Sequence, residues 1–227
     1  MMTELIQEEI NAETYEVKPC DTLTLNIASF DDFKNRKILV VLHENSTLDL
    51  AFADFSRNSG FVNIDVKLKE KGAKAYIDIA SLCKEKDKKK FEVEVTHEVG
   101  ETIAYVNMNG IVTEAGHLAF LGKNIILKGA KKAVTRQDDK VVIFNKDGTA
   151  QANPMLVIDE NDVQAGHGAA VGRLNDRELF YFTCRGISED EARKLLAFSY
   201  LKPITRHFKE GEKEEILNKI EGSLSHV

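Results

Sequence analysis

From Asp21 to Asn161 the chain alternates apolar and polar residues with a period of two. Leu23, Leu25 and Ile27 open the pattern, and Leu48, Leu50 and Phe52 repeat it. Val62, Ile64, Val66 and Leu68 follow, then Ala75, Ile77 and Ile79, then Phe91, Val93 and Val95, then Ala104, Val106 and Met108. Alternation of this kind turns one set of side chains toward a core and the other toward solvent, as β-strands do. The strands are parted by turn-forming stretches such as "RNSG", "KEKGA" and "NKDGT", rich in residues that accept tight backbone geometry. No helical period interrupts them, which excludes α/β crossovers and leaves a sandwich, a barrel or a β-helix. There is no hexapeptide or nonapeptide repeat, but the even spacing without a dominant hairpin signal favours a solenoid of stacked coils.

The period changes near Ser188. "SEDEARKLL" sets Ser188 and Glu191 at capping-box spacing, and such a cap stabilises a helix by about 1 kcal/mol. Ala192, Leu195, Leu196 and Ser199 then share one face. Pro203 removes a backbone donor and is expected to split the helix near Lys202. A second helix starts at about Gly211, with Ile216, Leu217 and Ile220 on one side. The tail is therefore a small helical unit attached to a β body.

A chain of 227 residues with 43% hydrophobic and 30% charged positions is long enough to bury a core without covalent staples. The formal net charge of −6 argues against a general nucleic-acid binder. No apolar run is long enough to cross a membrane, and the acidic start "MMTELIQEEINAETYEV" has no apolar signal core. The expectation is a cytoplasmic protein with neither a nucleic-acid nor a membrane partner. Cys20, Cys83 and Cys184 lie far apart without a C-x-x-C pair, so three free thiols are expected rather than a four-cysteine metal site.

Chemistry concentrates around "QAGHGAAVGR", Gln164 to Arg173. The glycines at 166, 168 and 172 invite a phosphate-loop reading, but no strand-loop-helix order and no Gly-Lys-Ser/Thr follows. His167 among such small neighbours is either a residue that something must approach, as a metal ligand would be, or a side chain in a turn. His97 shares the parity of Phe91, Val93 and Val95 and points inward, as a hydrogen-bonded core histidine or a ligand. His117 has the same ambiguity, while His43, His207 and His226 read as surface or tail residues. Cys184, next to Arg185, reads as a buried thiol beneath Phe180 and Phe182, and "KEKDKKK", Lys84 to Lys90, as a solvated loop. No G-x-S-x-G, no H-E-x-x-H and no nucleophile-base pair at motif spacing is present, so nothing in the residues demands an enzyme.

The segment Pro154 to Leu196 resembles the SufB/SufD family of the SUF iron–sulfur cluster assembly machinery. The likeness is carried by Pro154-x-Leu156, Asp162-Val163, His167-Gly168-Ala169, Val171-Gly172, Leu179-Phe180-Tyr181, Arg185-Gly186-Ile187 and the helix with Glu191-Ala192. "THEVGET" and "NGIVTEAGHLAFLGKNIILKGAKKA" upstream look like the family's coils. The resemblance covers Phe91 to Phe208 and is closer to SufD-like or short minimal-system members. It implies an all-β core, a right-handed parallel β-helix over residues 21–178, after an N-terminal segment 1–20 and before a small α-helical C-terminal subdomain over 179–227. It also implies a non-catalytic scaffold that pairs with another SufB/SufD-type core, in a homodimer or a heterodimer. The helical end would dock on a SufC-like ATPase through the face of Ala192, Leu195, Leu196 and Ser199.

The family's working histidine matches His167, as a shared ligand of iron or of a transient iron–sulfur cluster between the two cores, with no cofactor held tightly by this chain alone. The sequence departs from the family where SufD-like members often carry cysteine, at Ala165, and where SufB carries glutamates, at Gly166 and Gly168. A β-helix enzyme acting on acyl groups or carbohydrate is the alternative; it would want hexapeptide repeats or an exposed carboxylate–basic cluster, and neither is seen. Flavin binding lacks a pocket signature.

Overall fold

The computed structural model of the chain describes residues 11–174 and 176–223. Twelve strands wind into a parallel β-helix of two facing sheets, with each coil contributing one strand to each. One sheet holds β1 (Asn11–Val17), β3 (Arg36–Leu42), β5 (Gly60–Leu68), β7 (Lys88–His97), β9 (His117–Ile126) and β11 (Thr149–Ile158), in that order. The other runs β2 (Thr22–Ser29), β4 (Thr47–Asp54), β6 (Lys74–Cys83), β8 (Ile103–Val112), β10 (Val134–Ile143) and β12 (Gln164–Arg173). Each strand pairs in parallel and in register with the next coil, so the alternation seen in the sequence becomes continuous rows. Leu50, Ile77 and Val106 form one row inside, and Ile38, Ile64 and Val93 face them from the other sheet.

Of the expected N-terminal segment 1–20, residues 11–17 form β1, the first described rung of the first sheet; residues 1–10 lie outside the described residues. The lumen is apolar along most of its length. Phe91 is its aromatic hub, edge-on to Phe33, Phe52 and Phe120 at centroid distances of 5.5, 5.7 and 5.7 Å.

The corners repeat as faithfully as the strands. On one edge a residue with positive φ recurs in successive turns: Cys20, Asn45, Gly72, Glu101 and Lys132. Each such turn hands a backbone N–H to the next coil, Asn45 to Lys71 O at 2.9 Å, Gly72 to Glu101 O at 3.1 Å and Glu101 to Lys131 O at 2.8 Å. On the opposite edge Glu85 and Glu114 also have positive φ; there Ala115 N donates to Glu85 O at 2.9 Å and Glu114 N to the Asn145 side-chain Oδ1 at 2.8 Å. A left-handed residue costs about 1 kcal/mol when it carries a Cβ, and stacking the turns offsets that by satisfying their backbone groups. At Gly72 a side chain is excluded twice, by its φ of 74° and by Asn45 Oδ1, which a Cβ would meet at 2.0 Å.

The helical unit is not a separate lobe. It comprises α1 (Asp176–Thr183), α2 (Glu189–Leu201), a 3-10 segment (Lys202–His207) and α3 (Glu210–Ser223). Ser188 caps α2 by accepting from Glu191 N, and Pro203 at the head of the 3-10 segment ends it, both as the sequence predicts. The unit folds back over the outer face of the second sheet. There Ala51, Ala53, Ala80, Leu82 and Ile111 meet Ala197, Leu201, Ile204, Phe208, Ile216 and Ile220 in a second core. Polar pins hold the edge of that contact: Arg206 Nη2 donates to Asp78 Oδ2 at 2.7 Å, and His207 Nε2 lies 2.8 Å from the same carboxylate. His207 is thus half-buried between strands and helices rather than a free tail residue.

Candidate functional site

The last rung of the solenoid carries the chemistry. Among the described residues no strand pairs with the outer edge of β12, and its sequence is almost bare of side chains: Gly166, Gly168, Ala170 and Gly172 face outward. The inward set is Ala165, His167, Ala169 and Val171, in register with the buried Thr135, Gln137, Asp139 and Val141 of β10. His167 is therefore neither in a phosphate loop nor in a turn. It is a strand residue on the lumen parity, exposed because nothing stacks above it. Among the described residues nothing hydrogen-bonds to its ring, and a Cβ at Gly166 or Gly172 would meet open space. One imidazole stands on a strip where another backbone can come close.

β11 forms the other lip of the same open end. Ala150, Ala152, Pro154 and Leu156 line it inside, and Met155, Val157 and Ile158 are exposed on it, Met155 at 54%. Two unpaired strand edges flanked by apolar side chains make a surface ready for pairing with another chain.

The rung beneath is unlike the rest of the lumen. Thr135 Oγ1 donates to Asn124 Oδ1 at 3.0 Å, and Asn124 Nδ2 donates to Gln137 Oε1 at 2.8 Å. Gln137 Nε2 in turn donates to both carboxylate oxygens of Asp139, at 2.9 and 3.1 Å. All four are buried. Gly122 makes the room: a Cβ there would lie 1.6 Å from Gln137 Nε2. The sequence reading missed this group because "TRQDDK" looks like a polar turn; only its parity with Val141 and Ile143 marks it as inward.

The expected docking face of α2 divides. Ala192 is fully buried, and Leu196 is partly buried against the second core. Leu195, at 46%, and Ser199 remain exposed. Larger apolar exposure lies on α1, where Phe180 is 69% and Tyr181 55% accessible, with the Arg185 guanidinium 3.6 Å from the Tyr181 ring centre.

The other candidates are scattered. Cys184 is exposed, not buried beneath the aromatics, because Phe180 itself points to solvent. Cys20 is exposed in the β1–β2 turn. Cys83 is enclosed, donating to Asp87 O at 3.2 Å, and burial pushes its thiol up to about 12, which makes it inert at neutral pH. His97 is buried with Nδ1 2.8 Å from Thr102 Oγ1 and Nε2 without a partner, and burial holds its pKa down to about 4. It is a neutral core residue whose protonation opposes folding as pH falls from 6.5 toward 4. His117 is paired with the Thr149 hydroxyl and His43 with Glu16 and Glu70; His226 lies outside the described residues. The basic run at Lys84 to Lys90 is not all solvated, since Lys89 is buried on Asp54 at 2.8 Å. Among the described residues no three His, Cys, Asp or Glu side chains converge as a metal site would require, and no helix is long and apolar enough to cross a membrane.

Comparison with known proteins adds a second line. Residues 20–200 match the SufBD core domain of the SUF system for FeS cluster assembly. The iron–sulfur cluster assembly protein SufD of Bacillus subtilis (strain 168) is 33% identical over 132 residues, 58% of this chain and 30% of the relative. SufD of Escherichia coli (strain K12) is 29% identical over 111 residues, 48% of this chain and 26% of the relative. The chloroplastic protein ABCI7 of Arabidopsis thaliana is 28% identical over 115 residues, 50% of this chain and 24% of that protein. The chain thus spans less than a third of the length of these relatives.

Proposed function

The chain belongs to the SufBD core family of SUF iron–sulfur cluster assembly proteins, and from that membership we propose that it is a non-catalytic, SufD-like scaffold subunit working in the cytosol. Its open end pairs with a SufB/SufD-type core, and iron or a nascent cluster, the cargo rather than a resident cofactor, sits between them. His167 supplies one ligand or proton acceptor to that shared place. One protein holding a cluster needs about four ligands at close range, and the dispersed thiols argue that this chain does not hold one alone. The observation that carries the reading is His167, a bare imidazole on an unpaired edge strand of glycine and alanine.

The test is His167→Ala in the assembled complex. The variant is expected to keep the wild-type melting curve, because an exposed edge residue contributes within about 0.5 kcal/mol. Cluster formation, assayed as acid-labile sulfide after desalting, is expected to drop to a small fraction of wild type. Full cluster yield from the variant complex would reduce this histidine to a spectator.

A SufC-like ATPase docks on the helical unit, and the exposed Phe180, Tyr181 and Leu195 are its contact, in place of the buried Ala192 and the partly buried Leu196. Deleting the helices is a poor test, because it strips the cover from Ala51, Ala53, Leu82 and Ile111. Phe180→Ser with Tyr181→Ser leaves that cover intact. The pair is expected to weaken ATPase capture severely with unchanged circular dichroism; undiminished capture would move the dock elsewhere.

A further inference from the structure

The last coil is seated on a buried acid with no cation. Along the lumen the rows inside β4, β6 and β8 are apolar, Leu50, Ile77 and Val106 among them. At β10 the row changes to Gln137 and Asp139, and the hydrogen bonds run one way, from the Thr135 hydroxyl through Asn124 and Gln137 to the Asp139 carboxylate. Gln137 is the single donor to Asp139 among the described residues. Every element packed around the carboxylate lacks a compensating charge. Met108 lies beside it on β8 and Ala169 on β12, with Gly122 and Asn124 across on β9. Lys123 of β9 is turned outward to Glu94 at 3.1 Å. On its own strand the charge acting on it is Asp138, which is repulsive, while Arg136 and Lys140 are on the exposed parity; on β12 the ionisable residues are His167, two positions from Ala169, and Arg173, whose guanidinium donates to the Asn145 and Lys146 carbonyls.

The cover over this acid is thin. β12 offers Ala165, Ala169 and a half-exposed edge, and β11 adds Ala150 and Ala152. Such a coil gains little from apolar burial and belongs at the low-stability end of the molecule. Burial is the leading cause that raises the Asp139 carboxyl to about 7, and opening the coil restores water to it.

We propose that the terminal coil, β11 and β12 with His167, is a proton-controlled latch: protonated Asp139 keeps it seated on the lumen, and ionised Asp139 lets it open. The sign follows from linkage. A carboxyl raised in the closed state and free in the open one favours closure at low pH, and that advantage is lost as pH climbs from 3.8 to about 7. Above that range the opening is constant. The latch regulates access to the edge on which the proposed pairing rests, but its readout requires no cluster and no partner.

Amide hydrogen exchange of the full chain between pH 5 and 8, corrected for intrinsic base catalysis, tests it. Protection of the β12 amides bonded to β10 is expected to fall up to about tenfold per pH unit from 5 to 7 and then level off. Protection in β5 and β7, mid-solenoid, is expected to stay flat. Asp139→Asn, which still accepts from Gln137, is expected to remove the slope at β12. A pH-independent β12 in the wild-type chain overturns the latch, and so does a slope that survives in Asp139→Asn. If that variant does not fold, the wild-type profile decides by itself. Because the readout is exchange, a working latch with a cluster-competent His167→Ala would separate this inference from the functional reading.

Discussion

Lys89→Ala is expected to destabilise the chain by about 3–5 kcal/mol, the loss typical of removing one partner from a buried ion pair. Lys89 and Asp54 have no exposed side-chain surface, and the ammonium uses all its donors: Asp54 Oδ2 at 2.8 Å, Ser56 O at 2.7 Å and Leu82 O at 3.0 Å. The ammonium nitrogen also lies over the Phe33 ring, 5.2 Å from its centre. Asp54 is bonded in addition by the Ser56 amide and hydroxyl and by Ser81. Truncation leaves that carboxylate uncompensated inside the protein. The double variant Lys89→Met with Asp54→Asn should recover most of the loss, since a neutral pair of similar volume avoids the desolvation of two charges. Urea unfolding of the wild type and the two variants measures this. A double variant as unstable as Lys89→Ala would show that packing around the stem, not the charge, is what the corner needs.

Phe91→Ala is the second large effect, expected at about 3–5 kcal/mol. The ring is completely buried and touches three other aromatic rings from three coils. Its removal forfeits the transfer energy and opens a cavity that the hydrogen-bonded rungs cannot collapse to fill. Each edge-to-face pair adds about 0.5–1.5 kcal/mol beyond area. Phe91→Leu keeps most of the volume and should cost far less, about 1.5 kcal/mol or under. Equal urea midpoints for the two variants would contradict a void-based loss.

The strands that alternate cleanly were legible at once, because Val62 to Leu68 or Ala75 to Ile79 admit one period only. β3 was not: Ile38 to Leu42 is a continuous apolar run whose outward members, Leu39 and Val41, hide the alternation. Lys89 was unreadable for a different reason. Lysine in "KEKDKKK" signals solvent, and its burial depends on Asp54, thirty-five residues earlier and brought beside it by the coil. The caps and the break at Pro203 were local and therefore visible. Which helix face turns inward was not, since Ala192 and Leu195 differ only by what the second sheet presents to them. His167 could be singled out from its neighbours, but its solitude on the final rung needed the register with Gln137.

Because the first five coils close through the same left-handed corner and every strand stacks in register on the next, the molecule can change length only in whole steps. Thr47, Lys74, Ile103, Val134 and Gln164 stand in one row, each opening its strand at the same point of the winding. A single residue inserted within a strand would turn every later side chain of that strand to the opposite face, sending Asp65 or Glu94 into the lumen. Excision from one row position to the next removes a full coil, rejoins two equivalent corners, and shortens the stack by about 4.8 Å. Descent in such a lineage would leave insertions and losses counted in coils, with the corners as the points where the count changes.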